Sequence, residues 1–186
     1  MLFETNQAEV PAAPGGDRPP ARTLSPILPD DIERAALALL EAAGERGVSI
    51  ASAESCTGGL LASVLTDVEG HSSAFDRAFV VYSPRAKCEL LGLADEMVEN
   101  CGCVSEEVAR ALAESALERS SAGLAVGITG FAGPAGEDDE EGLVHLAVAR
   151  EGRETEHREM HYGAIGRGGV RIEGLRTALE MMRAAL

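Results

Sequence analysis

Lysine is almost absent from this sequence. Of 16 basic residues in a chain of 186, only Lys87 is a lysine, and the formal net charge is −15. A chain this acidic, with no basic stripe to neutralise phosphates, is not expected to bind nucleic acid or an anionic membrane surface. The single ammonium group has distinct chemistry, because a buried lysine can lose its proton and act as a base whereas arginine cannot. The plain alternative is a chance surface lysine.

Long apolar runs are also missing. No stretch approaches the roughly 18 residues that span a bilayer, and the N-terminus lacks the basic and apolar regions of a signal peptide. We therefore expect a cytoplasmic protein with no membrane partner. The four cysteines are Cys56, Cys88, Cys101 and Cys103, and the spacing of the last two is too short for a usual zinc site. Free thiols, no metal and no cofactor are the expectation.

Composition divides the chain into two parts. Residues 1–29 hold six of the eight prolines and no apolar period, which predicts a disordered or loosely attached tail. Residues 30–186 are predicted to form one domain with an ordinary core, since 45% of the chain is hydrophobic.

Alternating helix and strand patterns run through this domain. A helix is predicted from Asp30, short buried strands at residues 48–51, 78–82 and 124–129, a polar hairpin at 143–162, and a final helix at 169–185. This order predicts an α/β fold, a three-layer αβα arrangement whose mixed, largely parallel sheet is flanked by helices. His157 and His161 are interpreted as exposed positions on the edge strand. The helices rich in Ala and Leu, together with that edge, leave room for a homo-oligomer.

The organising stretch is residues 48–66, VSIASAESCTGGLLASVLT. A strand that turns through small residues directly into a helix leaves backbone N–H groups unpaired at the positive end of the helix dipole, which suits a phosphate or an oxyanion. Ser55 lies where a nucleophile would be held, just before those amides. The same stretch taken alone also fits a turn whose Ser and Thr only cap the helix.

A second strand-to-helix junction contains Tyr82 at the end of the strand and Lys87 one turn into the helix that Ser83 and Pro84 begin. If the two strands are parallel neighbours, Ser55, Tyr82 and Lys87 meet at one edge of the sheet, where ligands bind in open α/β folds.

The third strand opens into a glycine-rich loop at residues 130–142. Its acidic run, residues 137–141, is interpreted as a solvated loop tip and not as a metal site. Arg167 and Arg171 lie around the start of the final helix, where they could reach an anionic ligand.

Several of these stretches resemble a known family. AESCTGGLLASVLTDVEG, FVVYSPRAKCELLGL, VSEEVARALAESAL, AVGITGFAGPAG and GLVHLAVA, in this order, are similar to the C-terminal domain of CinA, the nicotinamide-nucleotide amidase family, in its stand-alone form. The motifs AESCTGG and YS-x-x-AK are specific when they occur together. The resemblance runs from about Asp30 to the C-terminus.

The resemblance implies an amidohydrolase that converts nicotinamide mononucleotide to nicotinate mononucleotide and ammonia, without a metal. It assigns the nucleophile to Ser55 and the activating groups to Tyr82 and Lys87, either of which could be the general base. The alternatives are a catalytically weak nucleotide-binding paralogue with a regulatory role, an amidase for a different small amide, and attack by Cys56 in place of Ser55. The expected substrate-binding residues are Cys56, Thr57, Gly58, Gly59, Thr129, Gly130, Gly133, Arg167 and Arg171.

The sequence also departs from the family pattern. The loop after GPAG is shortened to an acidic segment without lysine, Pro84 stands in place of the usual Asn, and Gly166 stands in place of the usual Asp before Arg167. If the acidic loop contacts the substrate phosphate, its carboxylates would weaken binding.

Overall fold

The part of the chain that the structure describes contains five strands and six α-helices. The computed structural model describes residues 28–134 and 136–186, so residues 1–27 of the predicted tail lie outside the described residues. In chain order the elements are α1 (Asp30–Glu45), β1 (Ile50–Glu54), α2 (Leu60–Asp67), a 3₁₀ turn (Ser72–Ala74), β2 (Phe75–Val80), α3 (Pro84–Leu91), α4 (Asp95–Asn100), α5 (Glu106–Glu118), β3 (Leu124–Gly130), β4 (Leu143–Arg150), β5 (Glu156–His161) and α6 (Gly166–Ala185).

The strands form one mixed sheet in the order β2-β1-β3-β4-β5. Strand β1 pairs in parallel with both β2 and β3, while β4 is antiparallel to β3 and to β5. The α/β fold with a mixed sheet is therefore confirmed. Because β1, β2 and β3 are parallel neighbours, their carboxyl ends lie at one edge of the sheet.

Helices cover both faces of this sheet. Alternate residues of β3 separate the two cores: Val126 packs with α1, α2 and α6, whereas Ala125 packs with α3, α4 and α5. Period-two alternation of this kind follows from the strand geometry, which sends successive side chains to opposite faces. The result is a three-layer αβα arrangement.

Small residues let α5 approach the sheet closely. Ala109 and Ala113 of the helix pack with Ala147 and Ala149 of β4. A Cβ atom added to Gly127 of β3 would lie 2.4 Å from the carbonyl oxygen of Ala109. The alanine-rich composition of α5 is thus a packing requirement.

Some predicted boundaries and exposures were wrong. The second strand ends at Val80, so Tyr82 lies two residues beyond it, and the last helix begins at Gly166 and not at Gly169. His157 is not an exposed edge residue, since its side chain is only 10% exposed. Its ring stacks on buried His145, with 3.1 Å between their nitrogens, because diagonal positions on neighbouring strands share one face of the sheet. His161 is exposed, as predicted.

Across residues 28–134 and 136–186, no helix combines the length and the apolar character that crossing a bilayer requires.

Candidate active site

A cavity of about 330 Å³ lies at the carboxyl ends of β1 and β3. We call it the strand-end cavity. It is lined by Ser55, Cys56, Tyr82, Pro84, Lys87, Cys103, Val104, Thr129, Gly130, Phe131, Ala132, Gly133, Pro134, Gly136, Asp139 and Arg167. The two strand-to-helix junctions that the sequence singled out therefore meet at one cavity, as expected from parallel pairing.

Ser55 and Lys87 are hydrogen-bonded in this cavity, with 3.0 Å between Oγ and Nζ. The Lys87 amine also donates to the carbonyl oxygen of Val81 at 3.0 Å. Local structure fixes this position, because the hydroxyl of Ser83 caps α3 by accepting from the amide of Ala86, which starts the helix one turn before Lys87.

Burial changes the chemistry of this lysine. Lys87 is only 1% exposed, and the resulting loss of hydration lowers the pKa of its amine. Nearby cysteines, Cys103 first among them, act in the opposite direction and raise this pKa. A neutral amine beside a serine hydroxyl is the nucleophile–base arrangement of serine–lysine hydrolases.

The helix N-terminus beside Ser55 is not free to bind an anion, contrary to the sequence-based expectation. The carboxylate of Glu54, fully buried, accepts from the backbone amides of Leu61 at 3.1 Å and Ala62 at 2.9 Å. It also accepts from the hydroxyl of Thr57 at 2.7 Å. An internal carboxylate therefore stabilises the positive end of α2, and the sequence reasoning overlooked this role of Glu54.

The turn that holds Ser55 is further tied to the sheet and to itself. The amide of Ser55 donates to the carbonyl oxygen of Ile128 on β3, and the amide of Gly58 donates to the carbonyl oxygen of Ser55, both at 3.0 Å. Gly58 has a φ of 63°, a backbone conformation that a residue with a side chain rarely adopts. The nucleophile candidate is thus anchored from both sides of the turn.

Tyr82 and Arg167 form the outer part of the cavity. Tyr82 is 62% exposed, and its hydroxyl accepts from Nη2 of Arg167 at 3.0 Å. Nη1 of Arg167 donates to the carbonyl oxygen of Gly133 at 3.0 Å. The structure thus joins Tyr82 to the arginine of the first turn of α6 and to the glycine-rich loop.

Four of the predicted substrate-binding residues do not line the cavity. They are Thr57, Gly58, Gly59 and Arg171. Residues 55–59 form the turn that holds the candidate nucleophile, and we call it the nucleophile turn. Arg171 lies behind it, where its Nη2 donates to the carbonyl oxygen of Thr57. Thr57 in turn uses its hydroxyl on Glu54. These side chains support the turn from behind and do not face the cavity.

The other predicted binding residues do line the cavity. Thr129 uses its hydroxyl to donate to the carbonyl oxygen of Cys103 at 2.6 Å, while Gly130 and Gly133 contribute backbone. Sequence reasoning missed two lining residues with reactive or charged groups, Cys103 and Asp139. For Cys103 a signal existed: it precedes α5, a helix that leads into β3 and so begins near that strand's carboxyl end.

Cys56 lies between the core and the cavity and is 6% exposed. Burial raises the pKa of its thiol to about 11. Because the thiolate is the nucleophilic form, this thiol is poorly suited to attack near neutral pH. Within the described ranges, no group of three or more His, Cys, Asp or Glu side chains is arranged to hold a metal ion.

Comparison with known proteins gives consistent matches. The family described as CinA C-terminal domain matches residues 32–186. A CinA-like protein of Anaeromyxobacter dehalogenans is 44% identical over 160 residues, which is 84% of this chain and 38% of that protein. A CinA-like protein of Akkermansia muciniphila is 47% identical over 120 residues, 63% of this chain and 29% of that protein. The chain therefore spans less than two fifths of the length of these curated relatives.

Two solved structures resemble this chain over nearly their whole length. The competence/damage inducible protein CihA from Agrobacterium tumefaciens is 43% identical, with a TM-score of 0.82 over 85% of this chain and 97% of that one. A CinA superfamily protein from Escherichia coli is 33% identical, with a TM-score of 0.79 over 86% of this chain and 94% of that one.

Proposed function

Because this chain belongs to the CinA C-terminal domain family, we propose that it is an amidohydrolase. Its proposed reaction converts nicotinamide mononucleotide to nicotinate mononucleotide and ammonia through Ser55. The observation that carries this proposal is the 3.0 Å hydrogen bond between Ser55 and buried Lys87 inside the strand-end cavity. Acyl transfer requires a nucleophile within hydrogen-bonding distance of a base, and this pair meets that requirement.

In the proposed first half-reaction, neutral Lys87 takes the hydroxyl proton of Ser55 as Oγ forms a bond to the carboxamide carbon. The negative charge that develops on the carbonyl oxygen needs N–H donors. Since Gly58 already donates to Ser55, the proposed donors are the backbone amides of Cys56 and Thr57. Protonated Lys87 then gives its proton to the leaving nitrogen, the C–N bond breaks, and ammonia departs.

The second half-reaction hydrolyses the ester on Ser55. Lys87, neutral again, takes a proton from a water molecule, whose oxygen attacks the acyl carbon. The C–O bond to Ser55 then breaks, and the proton returns to Oγ. The products are a carboxylic acid and the free enzyme, so atoms and charge balance.

Arg167 is the proposed binding group for the 5′-phosphate. It is a cation of the cavity lining and lies in the first turn of α6, and guanidinium groups pair well with phosphate oxygens. Tyr82 is proposed to hold this arginine in place through their hydrogen bond.

A second candidate is an amidase for a less anionic small amide. Asp139 supports it, because this carboxylate lines the same cavity and would repel a phosphate placed near it.

The test is product formation by the purified protein with nicotinamide mononucleotide and a chelator. Ammonia and nicotinate mononucleotide are expected in equal amounts. If neither product forms while the nucleotide still raises the melting temperature, the chain is a binding protein and the proposed function is wrong. If an uncharged amide is hydrolysed and the nucleotide is not, the second candidate replaces the first.

A further inference from the structure

The strand-end cavity is lined by charged side chains of both signs. Its charged lining side chains, within the described residues, are Lys87, Asp139 and Arg167. The Lys87 amine is hydrogen-bonded to Ser55 and Val81, and the residue is only 1% exposed. Asp139 and Arg167 are exposed, so their carboxylate and guanidinium are the charges that a ligand in the cavity meets most readily.

The position of Asp139 is set by a tight turn of the glycine-rich loop. Its amide donates to the carbonyl oxygen of Gly136 at 3.2 Å. Its carboxylate folds back over the same glycine, since a Cβ atom added to Gly136 would lie 3.2 Å from Oδ2. Gly136 and Asp139 both line the cavity, and Asp139 is exposed.

The neighbouring carboxylates are placed differently. Glu140 forms an ion pair with His161 at 2.7 Å. Glu141 packs against Gly133, where an added Cβ atom would lie 2.4 Å from its Oε1. Glu137 and Asp138 are exposed and are not in the lining. Asp139 is thus the member of the acidic run that lines the cavity.

We propose that Asp139 is a specificity-determining residue that recognises the positive charge of an N-substituted pyridinium ring, while Arg167 takes the anionic end of the same substrate. The inference rests on the proposed function, whose substrate has both charges. A carboxylate in the cavity raises affinity for a cationic ring and does nothing for a neutral ring of the same shape.

The experiment measures equilibrium binding by calorimetry in the Ser55→Ala protein, which prevents turnover. The two probes are nicotinamide riboside, which has a cationic ring and no phosphate, and its reduced dihydro form, which is neutral and nearly the same size. Adding Asp139→Asn is expected to weaken binding of the cationic probe about 5-fold, the size of an exposed charge interaction, and to leave the neutral probe unchanged.

Asp138→Asn is the matched control. It removes the same charge from the adjacent position, which does not line the cavity, and we expect no change in binding of either probe beyond a small general effect. Melting temperatures of all variants check that each protein is folded.

Three outcomes would overturn the inference. Asp139→Asn could weaken the binding of both probes equally, or it could weaken the binding of neither. The third is that neither probe binds to the Ser55→Ala protein. Tighter binding of the phosphate-bearing nucleotide by Asp139→Asn, with the riboside unchanged, would also overturn it and would assign Asp139 to phosphate repulsion. Failure of the proposed function gives a different result. If the wild type releases no ammonia but Asp139 still favours binding of the cationic probe, the role of Asp139 is retained and the amidase activity is excluded.

Discussion

Lys87 lies with its amine 3.0 Å from the hydroxyl of Ser55, although 32 residues separate the two in sequence. The parallel pairing of β1 and β2 brings them together, because each residue follows the carboxyl end of one of these strands. The pair is buried, with Ser55 7% and Lys87 1% exposed. Burial disfavours the charged ammonium and so favours the neutral amine, which is the form able to accept a proton.

The first prediction concerns pH. A base must be deprotonated to act, and burial lowers the pKa of Lys87. We therefore expect kcat/KM to rise with pH through an ionisation below the ordinary pKa of lysine, and activity to be lost on the acid side of it. A pH–rate profile of the wild type measures this.

Lys87→Arg is the companion variant. It keeps the positive charge but cannot become neutral, so we expect a rate loss of about 10²–10⁴-fold across the whole pH range. A Lys87→Arg protein with wild-type rates would show that no base is needed at this position.

The second prediction concerns Glu54. Replacing it with Gln puts an amide group where the carboxylate accepts from Leu61 and Ala62. We expect a loss of about 1.5–3 kcal/mol in the free energy of unfolding, because a buried, charge-assisted cap is lost. Urea denaturation measures it. Glu41→Gln, on the exposed side of α1, is the matched control and should change stability by less than about 0.5 kcal/mol. Equal effects of the two changes would contradict the capping role.

The third prediction separates the two arginines of α6. Arg167 lines the cavity and Arg171 supports the nucleophile turn. Arg167→Ala should raise KM about 10–100-fold for a phosphate-bearing substrate, since a charged hydrogen bond is lost. Arg171→Ala should mainly lower kcat and the melting temperature, because the Thr57 carbonyl and the turn lose their support. Steady-state kinetics and thermal denaturation distinguish them, and identical effects of both changes would refute this division.

The fourth prediction tests the packing of α5 on the sheet. A Cβ atom at Gly127 would lie 2.4 Å and 2.6 Å from backbone atoms of Ala109 and Ala113, which cannot rotate away. Gly127→Ala should lower the free energy of unfolding by about 1–3 kcal/mol or more, as overpacking does. A Cβ atom added to Gly44 would meet no other atom within 4 Å. Gly44→Ala should therefore leave the free energy of unfolding unchanged or raise it by about 0.5 kcal/mol through helix propensity. If the Gly127→Ala protein were as stable as the Gly44→Ala protein, the close approach of α5 to β3 at Gly127 would be contradicted.

The parts of the site that could be predicted from sequence are those fixed by local pattern and topology. Ser55 and Lys87 each belong to a recognisable strand-to-helix junction. The parallel pairing of their strands then brings the two residues to the same edge of the sheet. The cap by Glu54 could not be read in this way, because its carboxylate crosses seven and eight residues to reach its amide partners. Asp139 is chemically equal to its acidic neighbours, so only the turn over Gly136 distinguishes it.

The same limit explains the difference between Arg167 and Arg171. The two residues are one helical turn apart and both suited an anion by chemistry. Which one faces the cavity depends on where α6 passes the nucleophile turn. His157 shows the complementary case: a polar residue on an edge strand was interpreted as exposed, but α5 covers that face of the sheet through Glu106.

The most direct test of the central claim is the rate of ammonia release from nicotinamide mononucleotide by Ser55→Ala beside Cys56→Ala. The two residues are adjacent, and both line the strand-end cavity. With Ser55 as nucleophile, Ser55→Ala should lose activity by at least about 10³-fold while it stays folded, and Cys56→Ala should keep the wild-type rate within about 10-fold. Activity that survives in Ser55→Ala and disappears in Cys56→Ala would contradict the account.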